Sequence, residues 1–255
     1  MPEANKGKIW RGKNKSKIRT KKIKHILDLY KEGSYIVTLP GSMCLEEKEL
    51  EKNNFDLSKV IGIQEVVKRG TINGEEVYKQ ILKIKNKENW DLNVWPGSAS
   101  SFFKCLSNRH FNLYRKHLGN KQLKLLPAMH FNKMNNVVLS SVDLDLCGII
   151  SANLFSLIED VFGGNSLTDH CQLFVNVQKG RDVRWGRLFT AFEKYGIFER
   201  DLDNLREVEF PLVVGKIAKK YGYKLVGWEL DPYSDKNSAN IGVTMLQFRF
   251  EFRRT

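Results

Sequence analysis

Tyr223-Lys-Leu-Val-Gly-Trp-Glu229 and Leu246-Gln-Phe-Arg-Phe-Glu-Phe-Arg253 decide the fold of this chain. In the second run Leu246, Phe248, Phe250 and Phe252 alternate with Gln247, Arg249, Glu251 and Arg253. A period of two puts one face of a strand into a core and turns the other toward polar surroundings. A polar stretch from Asp231 to Asn240 joins the two runs, so they read as an antiparallel hairpin closing a sheet whose earlier strands are arranged differently.

Upstream, strands alternate with helices. Lys22 to Tyr30 fits a short helix, and Ser34-Tyr-Ile-Val-Thr-Leu39 is a β-branched run closed by Pro40-Gly41. Leu45 to Asn53 reads as the next helix, followed by a second strand, Lys59-Val-Ile-Gly-Ile63, which ends on Gln64-Glu65. Gly74 to Lys87 carries Val77, Ile81, Leu82 and Ile84 at helical spacing. Leu92-Asn-Val-Trp95 is a third strand, stopping at Pro96-Gly97-Ser98 before a helix with Phe102, Phe103 and Leu106. The fourth strand is Asn136-Val-Val-Leu-Ser-Ser-Val-Asp143-Leu-Asp145-Leu-Cys147-Gly148, followed by a helix from Ile150 to Phe162 that Gly163-Gly164 ends. Cys171 to Val177 is a fifth strand, and Pro211 to Tyr221 a helix before the hairpin. Five such alternations predict a doubly wound α/β fold, a mostly parallel seven-stranded sheet with right-handed crossovers and a C-terminal antiparallel hairpin.

Composition narrows the class. The 255 residues are 42% hydrophobic with 15 Phe, enough to bury a large core. No apolar stretch approaches the roughly 20 residues that cross a bilayer, and the expectation is a soluble, cytoplasmic protein with no membrane partner. Cys44, Cys105, Cys147 and Cys171 form no C-x-x-C pair, so neither a zinc site nor a disulfide framework is predicted; Cys147 stands apart because it follows the acidic strand end. The net charge of +13 is concentrated between Lys6 and Lys24, a segment without acids. We read residues 1–24 as a flexible basic arm and 25–255 as the folded domain, with insertions near 108–134 and 184–209. Lys13, Lys15, Lys17, Arg19, Lys21 and Lys22 are then candidates for phosphate contacts. So are Arg109 and Arg115, in a segment that interleaves basic and aromatic residues, and Lys179 and Arg181 beyond the fifth strand.

The acids at the end of strand four carry the sharpest chemistry. Asp143 and Asp145 are two apart and share one face of the strand. Two buried acids need a partner, which a cation, a buried base or a substrate amine would supply; the plain alternative is that the strand has ended and both are solvated. In an open α/β sheet, ligands bind beyond the carboxyl ends of the strands.

This order of elements resembles the Rossmann-like class I S-adenosylmethionine-dependent methyltransferases, whose seven-stranded sheet ends in such a hairpin. The resemblance covers roughly residues 30 to 255. It implies S-adenosylmethionine as cofactor and matches the family's glycine turn to Thr38-Leu-Pro-Gly41-Ser-Met-Cys-Leu-Glu-Glu47, with Pro40, Gly41 and Ser42 at the cofactor. It further implies Gln64 or Glu65 at the ribose, Ser98 near the adenine, and Asp143 as a cofactor contact or support for Asp145. Asp145 would orient or deprotonate the methyl acceptor, so Asp145 and Asp143 are the candidate catalytic residues.

Three functions follow. The first is a methyltransferase acting on nucleic acid. No Asn-Pro-Pro-Tyr or Asp-Pro-Pro-Tyr follows strand four, which argues against the usual amino-methylating DNA enzymes. The second is a Mg-dependent nucleotidyltransferase or primase-like enzyme holding its cations with Asp143 and Asp145. The third is a catalytically inactive Rossmann-like module that binds nucleic acid, consistent with the single glycine of the turn and the Gln at the ribose position.

Overall fold

A computed structural model describes residues 13–66, 68–69, 72–108, 137–179, 185–236 and 242–255. Seven strands form one sheet: β1 (Tyr35–Thr38), β2 (Val60–Ile63), β3 (Asn93–Trp95), β4 (Leu139–Gly148), β5 (Leu167–Lys179), β6 (Tyr223–Lys236) and β7 (Gly242–Arg254). Their order across the sheet is β3-β2-β1-β4-β5-β7-β6. The five strands from β3 to β5 are parallel, and β7 runs antiparallel to both β5 and β6. The expected hairpin is present, with β6 extending to Lys236, into the stretch read as a turn.

The two faces of the sheet are covered differently. Toward α4 (Ala99–Asn108), α5 (Ala152–Gly163), α6 (Trp185–Glu193) and α7 (Phe210–Lys220), the register aligns Val37, Val142, Leu173 and Phe250, all buried in one apolar core. This is the face on which Phe248, Phe250 and Phe252 stack along β7. Leu188, Phe192 and Leu205 belong to the same core. Residues 185–209 are therefore part of the crossover between β5 and β6, through a π-helical turn at Leu205–Glu209, and not an inserted cap. The segment near 108–134 lies outside the described residues apart from Asn108.

On the other face, α1 (Lys13–Leu29), α2 (Leu45–Lys52) and α3 (Gly74–Lys87) form a smaller core around Ile23, Ile26, Leu50, Tyr78 and Ile81. Here β4, β5 and β7 turn up Ser141, Asp143, Gln172, Asn176 and Gln247, every one buried. The polar side of the β7 alternation is thus partly covered as well: Gln247 is buried and Arg249 is hydrogen-bonded to His25 of α1 at 2.8 Å, while Arg253 stays exposed. The flexible arm is accordingly corrected: residues 13–29 are a helix packed on the sheet, and residues 1–12 lie outside the described residues. The reason is electrostatic. A segment this basic cannot bury itself against apolar surface, but it can against a sheet face that supplies carboxylates.

One close approach fixes the turn after β1. A Cβ on Gly62 of β2 would stand 2.8 Å from Cγ of Pro40, so the ring of Pro40 rests on the bare backbone of β2. Gly62→Ala is expected to push that turn away and to cost about 1–3 kcal/mol of stability, measured by urea unfolding.

Candidate active-site rim

Strand order reverses between β1 and β4: successive connections from β1 run toward β3 on one side, and the later strands lie on the other. Such a switch point opens a crevice at the carboxyl ends of the strands, where loops leave in opposite directions. The residues expected at that rim are brought together there, but they are differently employed.

After β1, Pro40 is buried over Gly62, Gly41 is exposed and Ser42 half-buried. A Cβ at Gly41 would meet nothing within 4 Å, so the backbone at this turn is not crowded by the rest of the described fold. Cys44 adopts a left-handed conformation, φ 47°, and donates its N–H to the Gly41 carbonyl at 3.0 Å. The tight turn this makes delivers the chain into α2, whose first turn holds Glu46 and Glu47, favourably placed against the helix dipole.

At the end of β2, the Gln64 N–H donates to the Trp95 carbonyl at 2.9 Å, extending the ladder to β3 by one residue. Its side-chain amide donates to the Glu65 carbonyl at 2.8 Å. Glu65 is half-buried just beyond. Ser98 caps α4, its Oγ accepting the Ser101 N–H at 3.1 Å, so the hydroxyl already has a structural use.

The acids of β4 have found their partners in α1. Asp143, 1% exposed, is ion-paired with Lys22 of similar burial. Of the partners predicted for it, the structure has a buried base. Asp145 accepts from Lys15 Nζ at 2.9 Å, while Glu46 accepts from Arg19 at 3.1 Å and lies 3.7 Å from Lys22. Burial opposes the charge on Lys22, but Asp143, Glu46 and Asp145 outweigh it and raise its pKa above the ordinary lysine value. Burial likewise pushes Asp143 up, against the pull of Lys22, to about 6; at neutral pH both partners are charged. Glu46 resists burial through Lys22 and Arg19 and is held below the usual carboxylate range.

Three bases thus face three acids, and Glu47 is the surplus carboxylate. Its Oε1 accepts from Thr38 Oγ1 at 2.6 Å, its Oε2 is buried without a hydrogen-bond partner among the described residues, and burial and the neighbouring Glu46 lift its pKa to about 7. Neither Glu46 nor Glu47 is singled out by the sequence pattern, which marks Leu45 to Asn53 only as a helix. The signal for the lattice was present in α1 itself: Lys15, Ile18, Arg19, Lys22, Ile23 and Ile26 fall on one helical face.

The residues read as phosphate contacts divide. Lys15, Arg19 and Lys22 point inward to the acids just described, and Lys21 pairs with Asp231 at 2.8 Å and Glu229 at 3.2 Å. Lys179 is held by Glu207 at 2.8 Å and Asp203 at 3.1 Å. Lys17 is exposed on the outer side of α1. The side chain of Lys13 and all of Arg109, Arg115 and Arg181 lie outside the described residues, as does the side chain of Cys147. Among the described residues no helix is long and apolar enough to cross a membrane, and no group of three or more His, Cys, Asp or Glu is arranged to hold a metal ion.

The sequence matches no family model and no curated protein. Among solved structures it is similar to M. jannaschii TYW2 in complex with AdoMet, at 11% identity over 93% of this chain and 76% of that one, TM-score 0.49. It is also similar to a SAM-dependent methyltransferase of Anabaena variabilis, at 11% identity over 98% and 89% of the two chains, TM-score 0.48. A SAM-dependent methyltransferase of Methanosarcina mazei gives 11%, 90% and 96%, and 0.46. The fold is read from the strand order itself. It is the Rossmann-like methyltransferase fold.

Two predictions follow from the ion lattice. Lys22→Met leaves Asp143 without its buried cation and is expected to cost about 3–5 kcal/mol in urea unfolding, with Lys22→Met/Asp143→Leu costing less than the single change. Glu47 titrates higher in the folded chain than unfolded, so its protonated form favours folding: the contribution is complete below pH 4.5 and lost as pH rises toward about 7. Through this group the wild type should lose up to about 3 kcal/mol between pH 4.5 and 7.5. Glu47→Gln should flatten that slope in denaturation curves taken across the range.

Proposed function

We propose that this protein is an S-adenosylmethionine-dependent methyltransferase that acts on nucleic acid. The observation that carries the reading is the reversal of strand order between β1 and β4, a point at which open α/β sheets bind their ligands and from which the Pro40–Ser42 turn leaves β1. The residues there suit the cofactor. Bare backbone at Gly41, with open space where a Cβ would stand, permits the close approach that a glycine turn provides. Glu65 is the acid for the ribose hydroxyls, because the Gln64 amide is engaged with the Glu65 carbonyl. Ser98 would contribute through its backbone, its hydroxyl being committed to the helix cap.

The cofactor supplies a methyl group already activated as a sulfonium, and the work left to the chain is to hold and align the reactants. Asp145, with its side chain 12% exposed, is the less buried of the two β4 acids and is the one we assign to the acceptor. It would orient the acceptor and take up its proton once Lys15 yields the position. Asp143 lies deeper and acts as a positioning residue that anchors α1 through Lys22. A nucleic-acid acceptor is supported by the net charge of +13 and by Lys17 and Lys24, exposed on the outer side of α1.

A second reading, a non-catalytic nucleic-acid-binding module, is favoured by Lys15 and Lys22, which occupy both β4 acids in cis. Calorimetry with S-adenosylmethionine and S-adenosylhomocysteine separates the two. Saturable binding is expected. Gly41→Val, which meets no neighbour in the fold, should weaken it about tenfold or more, a loss of about 1.4 kcal/mol, without shifting the unfolding midpoint. If neither ligand binds while nucleic acid still binds with a steep salt dependence, the module reading replaces the enzyme.

A further inference from the structure

The C-terminal half of α1 is fastened to the sheet by a histidine that the cofactor reading does not use. His25 lies one turn beyond Lys22 and is half-buried. Its carbonyl accepts from Gln172 Nε2 of β5 at 2.8 Å, and its Nδ1 stands 2.8 Å from Nη1 of Arg249 on β7. A guanidinium has only N–H donors and keeps its proton, so in this pair Nδ1 is the acceptor. An imidazole that accepts at Nδ1 is neutral and carries its one proton on Nε2. That second nitrogen faces Glu229 of β6, 3.6 Å away.

The charges around His25 decide what a second proton on the ring would do. Arg249 opposes it from the shorter distance, and Glu229 favours it from the longer one. Glu229 is also shared, since it accepts from Arg249 Nη1 at 3.1 Å and pairs with Lys21 at 3.2 Å. Glu251 of β7 accepts from the other terminal nitrogen of Arg249 at 2.7 Å and is itself paired with His170 of β5 at 2.8 Å. On α1, Lys21 opposes the imidazolium and Asp28 favours it. Partial burial is the strongest influence and Arg249 the next, and together they hold the His25 pKa below the ordinary 6.5. An undocked helix therefore takes the proton first. The stabilisation that His25 gives to docking is complete above that ordinary value and is lost as pH falls below it.

We propose that His25 is a pH-sensitive latch. Neutral, it accepts from Arg249 and holds the C-terminal half of α1 on β5, β6 and β7. Protonated, it loses that bond, meets the guanidinium as a like charge, and lets this half of the helix loosen from the sheet. The latch stands independently of the cofactor. In the long-range proton–nitrogen NMR spectrum of the full chain at about pH 7.5, above the ordinary histidine range, His25 should show a bare Nδ1 and a proton on Nε2. Its titration midpoint should lie below that of the urea-unfolded chain. Hydrogen exchange should show the protection of residues 23–29, taken relative to that of α7, falling several-fold between about pH 7.5 and pH 5. His25→Asn keeps an uncharged acceptor near the Nδ1 position at similar helix propensity, and should show a much smaller fall. Asp143 and Glu47 change charge in the same range, but they do so in both proteins, so the difference between the two belongs to the histidine. A proton on Nδ1 of the wild type at neutral pH, a midpoint at or above the unfolded one, or an equal loss of protection in the two proteins overturns the proposal.

Discussion

The ion pair between Lys22 and Asp143 is the constraint on which the rest of this arrangement depends. Asp143 lies in β4, beside β1 where the sheet reverses, and its position on the strand gives it no route to water once α1 is in place. A carboxylate there is tolerable only if a cation is delivered to it and held. Lys22 is that cation, and holding it requires the whole of α1 to lie across β4, β5 and β6 with Ile23 and Ile26 buried beside it. The position of α1 then sets Arg19 against Glu46 and Lys15 against Asp145. The neighbouring turn after β1, its helix α2 and the acid face of the sheet are thus joined by one electrostatic arrangement more than by apolar contact. On the other face, where α4 to α7 pack, the ordinary logic of a hydrophobic core holds.

Much of this was legible in the residues, and the parts that were not share a cause. The alternation in Leu246 to Arg253 marks β7, and the series of short β-branched runs separated by amphipathic stretches marks the parallel strands, because in both cases apolar periodicity reports burial directly. Gly74 to Lys87 is a helix with the bounds its pattern gives. The failure was at α1. Its inward face combines Lys15, Arg19 and Lys22 with isoleucines, and a pattern search that scores apolar residues alone sees only charge. The same blindness hid Glu46 and Glu47. A stripe of basic residues at helical spacing, in a chain whose fourth strand carries two acids on one face, is a complementary pair of signals, and neither is informative without the other.

The rim shows what a fold does and does not determine. Strand order fixes where the sheet reverses, and with it which positions stand at the carboxyl ends of β1 and β4. What stands at those positions is specific to this chain: a proline laid on a glycine of the next strand, a serine spent on a helix cap, a glutamine folded back on the backbone, and two acids already neutralised. Asp145 is the less deeply held of the two acids, since the lysine that satisfies it is only partly covered and lies near the beginning of α1.

The placement of β7 has a bearing on how the molecule is made. It follows β6 in the chain but lies between β5 and β6 in the sheet, so β6 has no bonded neighbour until β7 exists. During synthesis the growing chain must carry a finished α7 and a long, aromatic, unpaired β6 while β5 presents a bare edge. Only the arrival of residues 242–254 closes both at once, through pairings that span from 65 residues (Lys179 with Thr244) to 83 (His170 with Arg253) on the β5 side. Assembly of this half of the sheet is therefore a single late event governed by loop closure, and a chain interrupted before it exposes two sticky edges where the finished fold has one.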